Sequence, residues 1–344
     1  MEDRLLGDPG VFVIDSRRAG AHWEQRGHVG VMEHLVNRTD ALSGMARPPE
    51  AARFLVHHML STMKSRPGIH VFVTHDSLVT ATAAQVLGVR IEPDEWPWYL
   101  EGAFFWSKGD KLSGAYRQYE NEGITTPLCG LTEAHIIEFA RREIAATVGL
   151  ESSVRFFLAG GAFKTLLSGR PPRDLDFWAP SQRDRDLLSR RLFDRGARAS
   201  DSTAFAAAFT LHGRIIEVPH KVEPPTLEER LGHFDIALSA VGVEHGSDGT
   251  WRAVIHPLAH ESVRQRRVLL LKPLVNWKYA LTTLERMRRY ADELNFESPR
   301  EEEEEVWRVI SQQPAEIRSG LIDRYKRTGT GSYGVWAEIS CRFQ

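Results

Sequence analysis

The chain has 344 residues, of which 42% are hydrophobic and 26% charged, and its formal net charge is −2. This length favours two compact domains, because a single hydrophobic core seldom extends over more than about 250 residues. The composition excludes a disordered or fibrous chain, and the near-neutral charge excludes a protein covered in positive potential.

Cysteine content and hydropathy limit the cellular setting. Cys129 and Cys341 are the only cysteines, too few and too far apart for a disulfide framework or a cysteine-based zinc site. Residues 1–4 do not begin a signal peptide, and no stretch approaches the ~20 apolar residues that span a bilayer. We therefore expect a cytoplasmic protein with no membrane partner.

The first part of the chain predicts helices around one strand. Residues 50–65 carry apolar side chains at helical spacing, and residues 69–74 form a β-branched run that predicts a buried strand. Residues 77–87 predict a second helix, which Gly88 closes. The order of helix, strand, polar turn and helix is typical of an α/β layer.

A connector at residues 123–127 places a domain boundary near residue 128, which gives domains 1–128 and 129–344. In the second domain, the sequence predicts helices over 132–148, 162–167 and 184–195 and strands over 154–159, 174–178 and 213–218. From residue 269 onward it predicts a mainly helical chain. The acidic run 301–305 is expected at the exposed start of a helix.

The most informative stretch runs from residue 159 to residue 177. A strand ends at Gly160-Gly161, a short helix and a turn follow, and Asp174 and Asp176 lie on the next strand. Because side chains alternate along a strand, these two carboxylates project to one side and can share divalent metal ions. Glycine N–H groups ahead of a helix bind phosphate. Each pattern alone is common in surface turns, but their combination in this order indicates metal-assisted phosphoryl transfer.

This stretch, AGGAFKTLLSGRPPRDLDF, resembles the signature of the DNA polymerase beta-like nucleotidyltransferase superfamily, in the version found in the head domains of poly(A) polymerases and CCA-adding enzymes. Residues 231–240 and 284–290 resemble the later Asp-Phe-Thr-type segment and following helix of that family. The resemblance covers residues 150–296 and implies that Asp174 and Asp176 bind two Mg²⁺ ions, for which Mn²⁺ can substitute. It also implies that Gly160 and Gly161 contact the nucleotide phosphates.

In this family a third carboxylate on a neighbouring strand helps to activate the acceptor hydroxyl. Glu217, on the strand over 213–218, is the first candidate and a further metal ligand, and Asp235 is the second candidate. The chain departs from CCA-adding enzymes at Lys164-Thr165, where they place Arg-Asp, and it lacks their base-selecting Glu-Asp-x-x-Arg motif. These departures argue against CCA addition.

Basic side chains around the signature are candidates to neutralise phosphate charge, with an ordinary solvated role as the alternative for each. They are Lys164, Arg170 and Arg173 near the glycines and acids, and Lys278, Arg286 and Arg289 on one face of the later helix, from which they can reach the triphosphate or the acceptor.

The N-terminal half resembles the closing part of a histidine phosphatase domain, in which a strand ends in His-Asp beside the phosphate pocket. The carriers of this resemblance are residues 69–76, the following helix and residues 96–102. It implies that His75 is a phosphate-pocket histidine and that Asp76 is a proton donor. The Arg-His-Gly motif that supplies the nucleophile is absent, since residues 26–28 read Arg-Gly-His, so a partial domain is expected.

Together these features predict a fold of the α/β and α+β classes: a partial histidine phosphatase-like α/β portion, then a nucleotidyltransferase mixed-sheet head with a helical C-terminal region. The expected reaction transfers a nucleoside monophosphate from a nucleoside triphosphate such as ATP to an acceptor hydroxyl on an RNA end, a protein or a small molecule. The alternatives are a histidine phosphatase-type phosphomonoester hydrolase and a noncatalytic nucleotide-binding protein.

Overall fold

The computed structural model describes residues 4–7, 10–63, 68–108, 111–124, 131–151, 153–203 and 205–343. The elements run in the order α1 (Ser16–Asn37), α2 (Pro48–Met63), α3 (Asp76–Leu87), β1 (Phe104–Lys108), β2 (Lys111–Tyr116), β3 (Tyr119–Ile124), α4 (Glu133–Ala146), β4 (Phe156–Ala159), α5 (Thr165–Ser168), β5 (Leu175–Trp178), α6 (Gln182–Asp194), β6 (Arg198–Ala199), β7 (Ala206–Leu211), β8 (Arg214–Pro219), α7 (Leu227–Gly232), β9 (Val241–His245), β10 (Trp251–Ile255), α8 (Pro257–Gln265), α9 (Ala280–Leu294), α10 (Arg300–Ser311), α11 (Ala315–Thr328) and α12 (Val335–Phe343).

The chain divides into two compact units. The first consists of Met1–Thr132 and Lys164–Pro171, and the second of Glu133–Phe163 and Pro172–Gln344. Much of the connector expected at residues 123–127, together with Cys129, lies outside the described residues. Among the described residues, no helix is long and apolar enough to cross a membrane.

The first unit packs helices against a small antiparallel sheet. The strands follow the order β1-β2-β3, α3 packs on β2 and β3, and α1 and α2 pack on α3. Small residues such as Ala81, Ala83 and Ala84 on α3 are almost fully buried, so neighbouring elements can approach this helix closely. Gly88 caps α3 in the left-handed conformation, at φ 69°, which confirms the predicted helix and its end.

The predicted buried strand over residues 69–74 is wrong. This segment has no regular secondary structure and belongs to no sheet, and Ile69, Val71 and Val73 are 95%, 81% and 86% exposed. Its other side is half-buried, where the Thr74 hydroxyl donates to the Leu6 carbonyl at 2.6 Å. The predicted α/β layer is therefore not found in the described part of this unit, because β-branched residues favour an extended chain but do not supply a neighbouring strand.

The second unit is built on a mixed seven-stranded sheet in the order β10-β9-β4-β5-β8-β7-β6. The pair β5–β8 is parallel and all other neighbours are antiparallel. The predicted strands at 154–159, 174–178 and 213–218 are confirmed as β4, β5 and β8, and they lie side by side at the centre.

The two faces of this sheet differ. On one face the side chains of Leu158, Phe177 and Ile216 are completely buried. The helix α6 packs on β4, and α4 packs on β9 and β10. On the other face α7 packs on β9, and Leu227 and Leu231 of α7 join a core cluster with Ala159 and Trp178. Since side chains alternate along β5, Asp176 shares this second face with Trp178.

The C-terminal part is helical, as predicted, with α10, α11 and α12 packed on α9. The acidic run begins α10, but its predicted solvation is wrong for Glu302, which is only 9% exposed. Its carboxylate accepts hydrogen bonds from the Leu270 N–H at 3.2 Å and the Lys272 ammonium at 3.0 Å. Each of the other four glutamates also pairs with a base: Glu301 with Arg267, Glu303 with Arg288, Glu304 with Arg342 and Glu305 with Arg308.

Candidate functional site

The two predicted acids lie at the start of β5 in the second unit. Asp174 immediately precedes the strand, and Asp176 is its second residue. The Asp174 side chain is 26% exposed, and Asp176 is also only partly accessible. Both are therefore set into the surface of the sheet and remain reachable from solvent.

The backbone of Gly160, which carries no side chain, lies close to the carboxylate of Asp176. It follows β4 with φ +118°, and a Cβ atom built on it would lie 2.9 Å from Oδ2 of Asp176. Its N–H donates to the Val241 carbonyl at 3.1 Å, so this group is already engaged. The next residue, Gly161, begins a 3₁₀ turn, Gly161–Lys164, and in the described part of the chain its N–H has no main-chain partner. The short helix predicted after the glycines is confirmed as this turn and α5.

A third carboxylate lies beside the pair. Glu217 on β8 is the register partner of Asp176 on β5, and residues paired directly across two strands project to the same face. Glu217 is half-buried. The parallel pairing of β5 and β8 thus brings together two acids that are 41 positions apart (217 − 176) in the chain.

The acids repel one another electrostatically. Burial, then the charges of Asp174 and Glu217, raises the pKa of the Asp176 carboxyl well above its ordinary value, against the opposing influence of Arg286 and Arg173. Burial and the charge of Asp174 likewise raise the pKa of Glu217, and Arg173 opposes them. Burial and the neighbouring acids together disfavour the charged forms of Asp176 and Glu217.

Arg173 is the cation in direct contact with the pair. Its Nε and Nη2 both lie 3.2 Å from Oδ2 of Asp174, and its side chain is 68% exposed. An exposed ion pair of this kind contributes little to stability, on the order of 0–1 kcal/mol. Arg173 can therefore leave Asp174 when another cation or a phosphate group arrives.

The donor set fits a divalent cation in chemistry, because carboxylate oxygens are the ligands that Mg²⁺ and Mn²⁺ prefer. The missing side chain at Gly160 lets the Asp176 carboxylate lie close to the backbone after β4. Within the described ranges, no three His, Cys, Asp or Glu side chains are arranged so that together they could hold a metal ion. Binding would require Asp174 to exchange Arg173 for the metal.

Asp235, the second candidate for the third carboxylate, is only 6% exposed. It accepts hydrogen bonds from the Ile236 N–H at 2.9 Å, from the Thr283 hydroxyl and from the Arg286 guanidinium. These partners occupy the carboxylate, which is thereby committed to holding Arg286.

Three other predicted residues, Lys164, His75 and Asp76, belong to the first unit. Lys164 begins the Lys164–Pro171 segment of that unit. His75 is exposed at the N-terminus of α3, where its side chain forms no capping hydrogen bond. The neighbouring Asp76 accepts from the Ser77 N–H at 2.7 Å. The strand expected to lead into His75 is missing, so the pocket implied for this histidine lacks its sheet.

The three cations predicted on the later helix differ in their surroundings. Arg286 pairs with Asp235, whereas Arg289 pairs with Glu293 at 3.7 Å and Lys278 precedes α9. Sequence periodicity placed all three on one face but could not distinguish them, because it contains no information on the partner of each charge.

No known family model and no curated protein matches this chain. Among solved structures, it is similar to a tRNA-processing enzyme in its apo form (19% identity, TM-score 0.42, 60% of this chain and 59% of that one). It is also similar to a tRNA nucleotidyltransferase complexed with a primer tRNA and an incoming ATP analogue (19%, 0.40, 55% and 60%) and to a CCA-adding enzyme complexed with ATP (14%, 0.41, 61% and 52%). The chain thus spans between half and three-fifths of the length of these structures, and at these scores the similarity assigns no function.

Proposed function

We propose that the second unit is a metal-dependent nucleotidyltransferase. The observation that carries the proposal is the pairing of Asp176 with Glu217 on one face of the sheet, with Asp176 close to the Gly160 backbone and the charge of Asp174 acting on both acids. Neighbouring carboxylates raise the free energy of their charged forms, and functional sites are where such perturbed groups collect. A divalent cation is the ligand that relieves this repulsion.

Asp174 and Asp176 would hold the metal. When bound, Mg²⁺ neutralises charge on the phosphate oxygens and orients attack and departure in line. Before binding, Arg173 partly neutralises Asp174. Once a metal takes over this role, Arg173 is free to donate to a phosphate oxygen, as its exposed position allows.

Gly160 and Gly161 would bind the triphosphate of the nucleotide. The Gly161 N–H stands at the start of a turn, where its donor is available, and Gly160 has no side chain to occupy the space beside Asp176. A single short turn has only a small helix dipole, so direct N–H donation is the main contribution.

In the proposed reaction, an acceptor hydroxyl oxygen forms a bond to the α-phosphorus of a nucleoside triphosphate. The bond from that phosphorus to the bridging oxygen breaks, and pyrophosphate leaves. Glu217 would accept the hydroxyl proton, because its raised pKa makes it a stronger base than an ordinary surface glutamate. The acceptor would be the end of an RNA, a protein side chain or a small molecule.

The test is incubation with each α-labelled nucleoside triphosphate and Mg²⁺, with and without cellular RNA, followed by detection of transferred label. Asp174→Ala should lower transfer by about 10³-fold or more, since it removes a metal ligand worth several kcal/mol in the transition state. Asp194→Ala, an exposed acid on α6, is the control. If the Asp174 variant kept full activity while His75→Ala lost its activity, the phosphatase alternative would be favoured instead. Binding of nucleotide without any transfer would indicate a noncatalytic protein.

A further inference from the structure

The small sheet of the first unit has a covered face and an outer face. On the covered face Leu112 of β2 is 2% exposed, and a Cβ atom built on Gly114 would lie 3.1 Å from the Leu87 side chain of α3. Since side chains alternate along a strand, Ser113 and Ala115 of β2 project to the outer face. The central strand of the sheet therefore carries only small side chains there.

The outer face has an aromatic side and an acidic side. Phe104 of β1 is in register with Ala115, and Ala115 with Glu120 of β3, so these three side chains form one row across the sheet. Trp106 of β1 is in register with Ser113. Phe104 and Trp106 are 69% and 39% exposed, and Glu120 is exposed. The result is a shallow groove along β2, with its aromatic and acidic walls about 10 Å apart, twice the spacing of neighbouring strands.

The acids of β3 are not balanced by nearby cations. Glu120 and Glu122 are both exposed, and neither forms an ion pair within the described part of the chain. Arg117, in the turn between β2 and β3, is engaged by Glu101 at 2.6 Å. Lys111 lies at the far end of β2. The acidic wall is therefore available to a positively charged ligand.

A turn just before β1 adds further apolar surface. Trp98, Tyr99 and Leu100 are 74%, 94% and 90% exposed. The turn is held in place, because the Trp98 N–H donates to the Glu101 carboxylate at 2.8 Å and Arg117 ties this carboxylate to the β2–β3 turn. Exposed aromatic side chains on a backbone that is already ordered lose little entropy on binding, and they are typical of protein-binding surfaces.

We propose that the outer face of this sheet binds an extended segment of a partner protein in which lysines or arginines alternate with apolar residues. This inference is independent of the proposed function. In an extended segment along β2, alternate side chains point to opposite walls, so apolar residues would cover Phe104 and Trp106 while cations would approach Glu120. A second copy of this face, an anionic membrane or a nucleic acid would be repelled by the same acids.

The test is fluorescence anisotropy of a labelled synthetic peptide of alternating lysine and leucine, titrated with the full chain. A peptide of the same length with glutamate in place of lysine is the control ligand. The lysine peptide should bind and the glutamate peptide should not, because only the first matches both walls. The affinity of the lysine peptide should fall as salt screens the charges.

Two variants locate the binding surface. Glu120→Lys should weaken binding about threefold to tenfold, the effect of reversing an exposed charge, and Glu316→Lys, at an exposed acid of α11, is its control. Phe104→Ser should weaken binding about tenfold, the effect of removing an aromatic contact. Its control is Phe193→Ser, because Phe193 on α6 is 52% exposed. Thermal melting should show that Glu120→Lys and Phe104→Ser fold like the wild type, since both side chains are exposed.

Equal affinity for the lysine and glutamate peptides would overturn the inference, and so would unchanged binding in both variants of the outer face. Binding of the wild type to phosphatidylcholine vesicles that is lost in Phe104→Ser but kept in Glu120→Lys would show a membrane-binding surface instead. Asp174→Ala should bind the lysine peptide as the wild type does, so the result does not depend on whether the second unit is a transferase.

Discussion

At the scale of single residues, the carboxyl group of Asp176 lowers the stability of the fold when it is charged, although the proposed metal binding requires that charge. Its carboxyl is desolvated and lies near two other acids, so its charged form is unfavourable in the folded state. An acid whose pKa is raised by folding holds its proton at pH values where the unfolded chain has lost it. Stability is then greatest below the unfolded pKa and falls as pH rises through the folded pKa.

Asp176→Asn should therefore melt at a higher temperature than the wild type at pH 8 and at nearly the same temperature at pH 4, because it removes the destabilising charge while keeping the shape. Each unit of pKa shift is worth about 1.4 kcal/mol. Thermal unfolding of both proteins over this pH range measures the effect, with exposed Asp194→Asn as the control. A variant that melts lower than the wild type at pH 8 would contradict it. Mg²⁺ should raise the melting temperature of the wild type but not of the variant.

Gly160 is required to be a glycine both by its backbone conformation and by the nearby carboxylate of Asp176. At φ +118° an L side chain is strained, and a Cβ atom would also press on the Asp176 carboxylate at 2.9 Å. The glycine therefore serves both the backbone turn and the acid beside it.

Gly160→Ala should destabilise the protein by more than the roughly 1–2 kcal/mol of a left-handed alanine alone and should abolish nucleotide transfer. Gly196→Ala is the matched control, because its φ is +88° and a Cβ atom there meets nothing within 4 Å. Chemical denaturation of both variants gives the comparison. Equal losses of stability would show that Asp176 does not crowd this position.

At the scale of elements, residues 69–74 show what a strand pattern can miss. The alternation of side chains is real, since one side is exposed and the other half-buried, but no described strand pairs with the segment. Alternating apolar residues predict an extended conformation, whereas burial requires a partner from elsewhere in the chain.

Replacing both Val71 and Val73 with threonine should change the free energy of unfolding by less than about 0.5 kcal/mol, as expected for exposed side chains. The same change at Val86 on α3, which is 5% exposed, should cost about 1–3 kcal/mol because a hydroxyl is buried. Urea denaturation measures both. A large decrease in the free energy of unfolding of the double variant would show that these side chains are buried, as the sequence predicts.

At the scale of the whole molecule, the two units are not consecutive stretches of chain. Residues 164–171 belong to the first unit, where α5 packs on α2 and the Gly169 carbonyl accepts from the Arg47 N–H at 2.9 Å. Gly169 has φ +72°, and a Cβ atom there would lie 2.7 Å from the Arg47 carbonyl oxygen. The segment that contains α5 thus packs on α2 within the first unit.

Gly169→Ala should therefore destabilise the first unit by clearly more than Gly88→Ala, a glycine of similar φ, +69°, with open space around it. The expected cost is the roughly 1–2 kcal/mol of the left-handed conformation at Gly88 and a larger value at Gly169, where backbone must move. Hydrogen exchange of α2 and α3 localises the loss. Protection that is equal in the two variants would contradict the proposed packing.

Sequence alone determined the features that depend on near neighbours in the chain. Helical periodicity located α2, α3 and α6, because local dihedral angles and residue spacing fix these elements. The closeness of Gly160 to Asp176 is a finding of the structure.

The tertiary structure decided which distant surfaces meet. It placed Glu217 beside Asp176 through the parallel pairing of β5 and β8, joined Arg286 to an acid 51 positions away, left Val71 exposed and gave residues 164–171 to the first unit. These outcomes depend on how whole helices and strands pack against one another. The free energy of that packing comes from the burial of many residues together, so no short stretch of sequence reveals it.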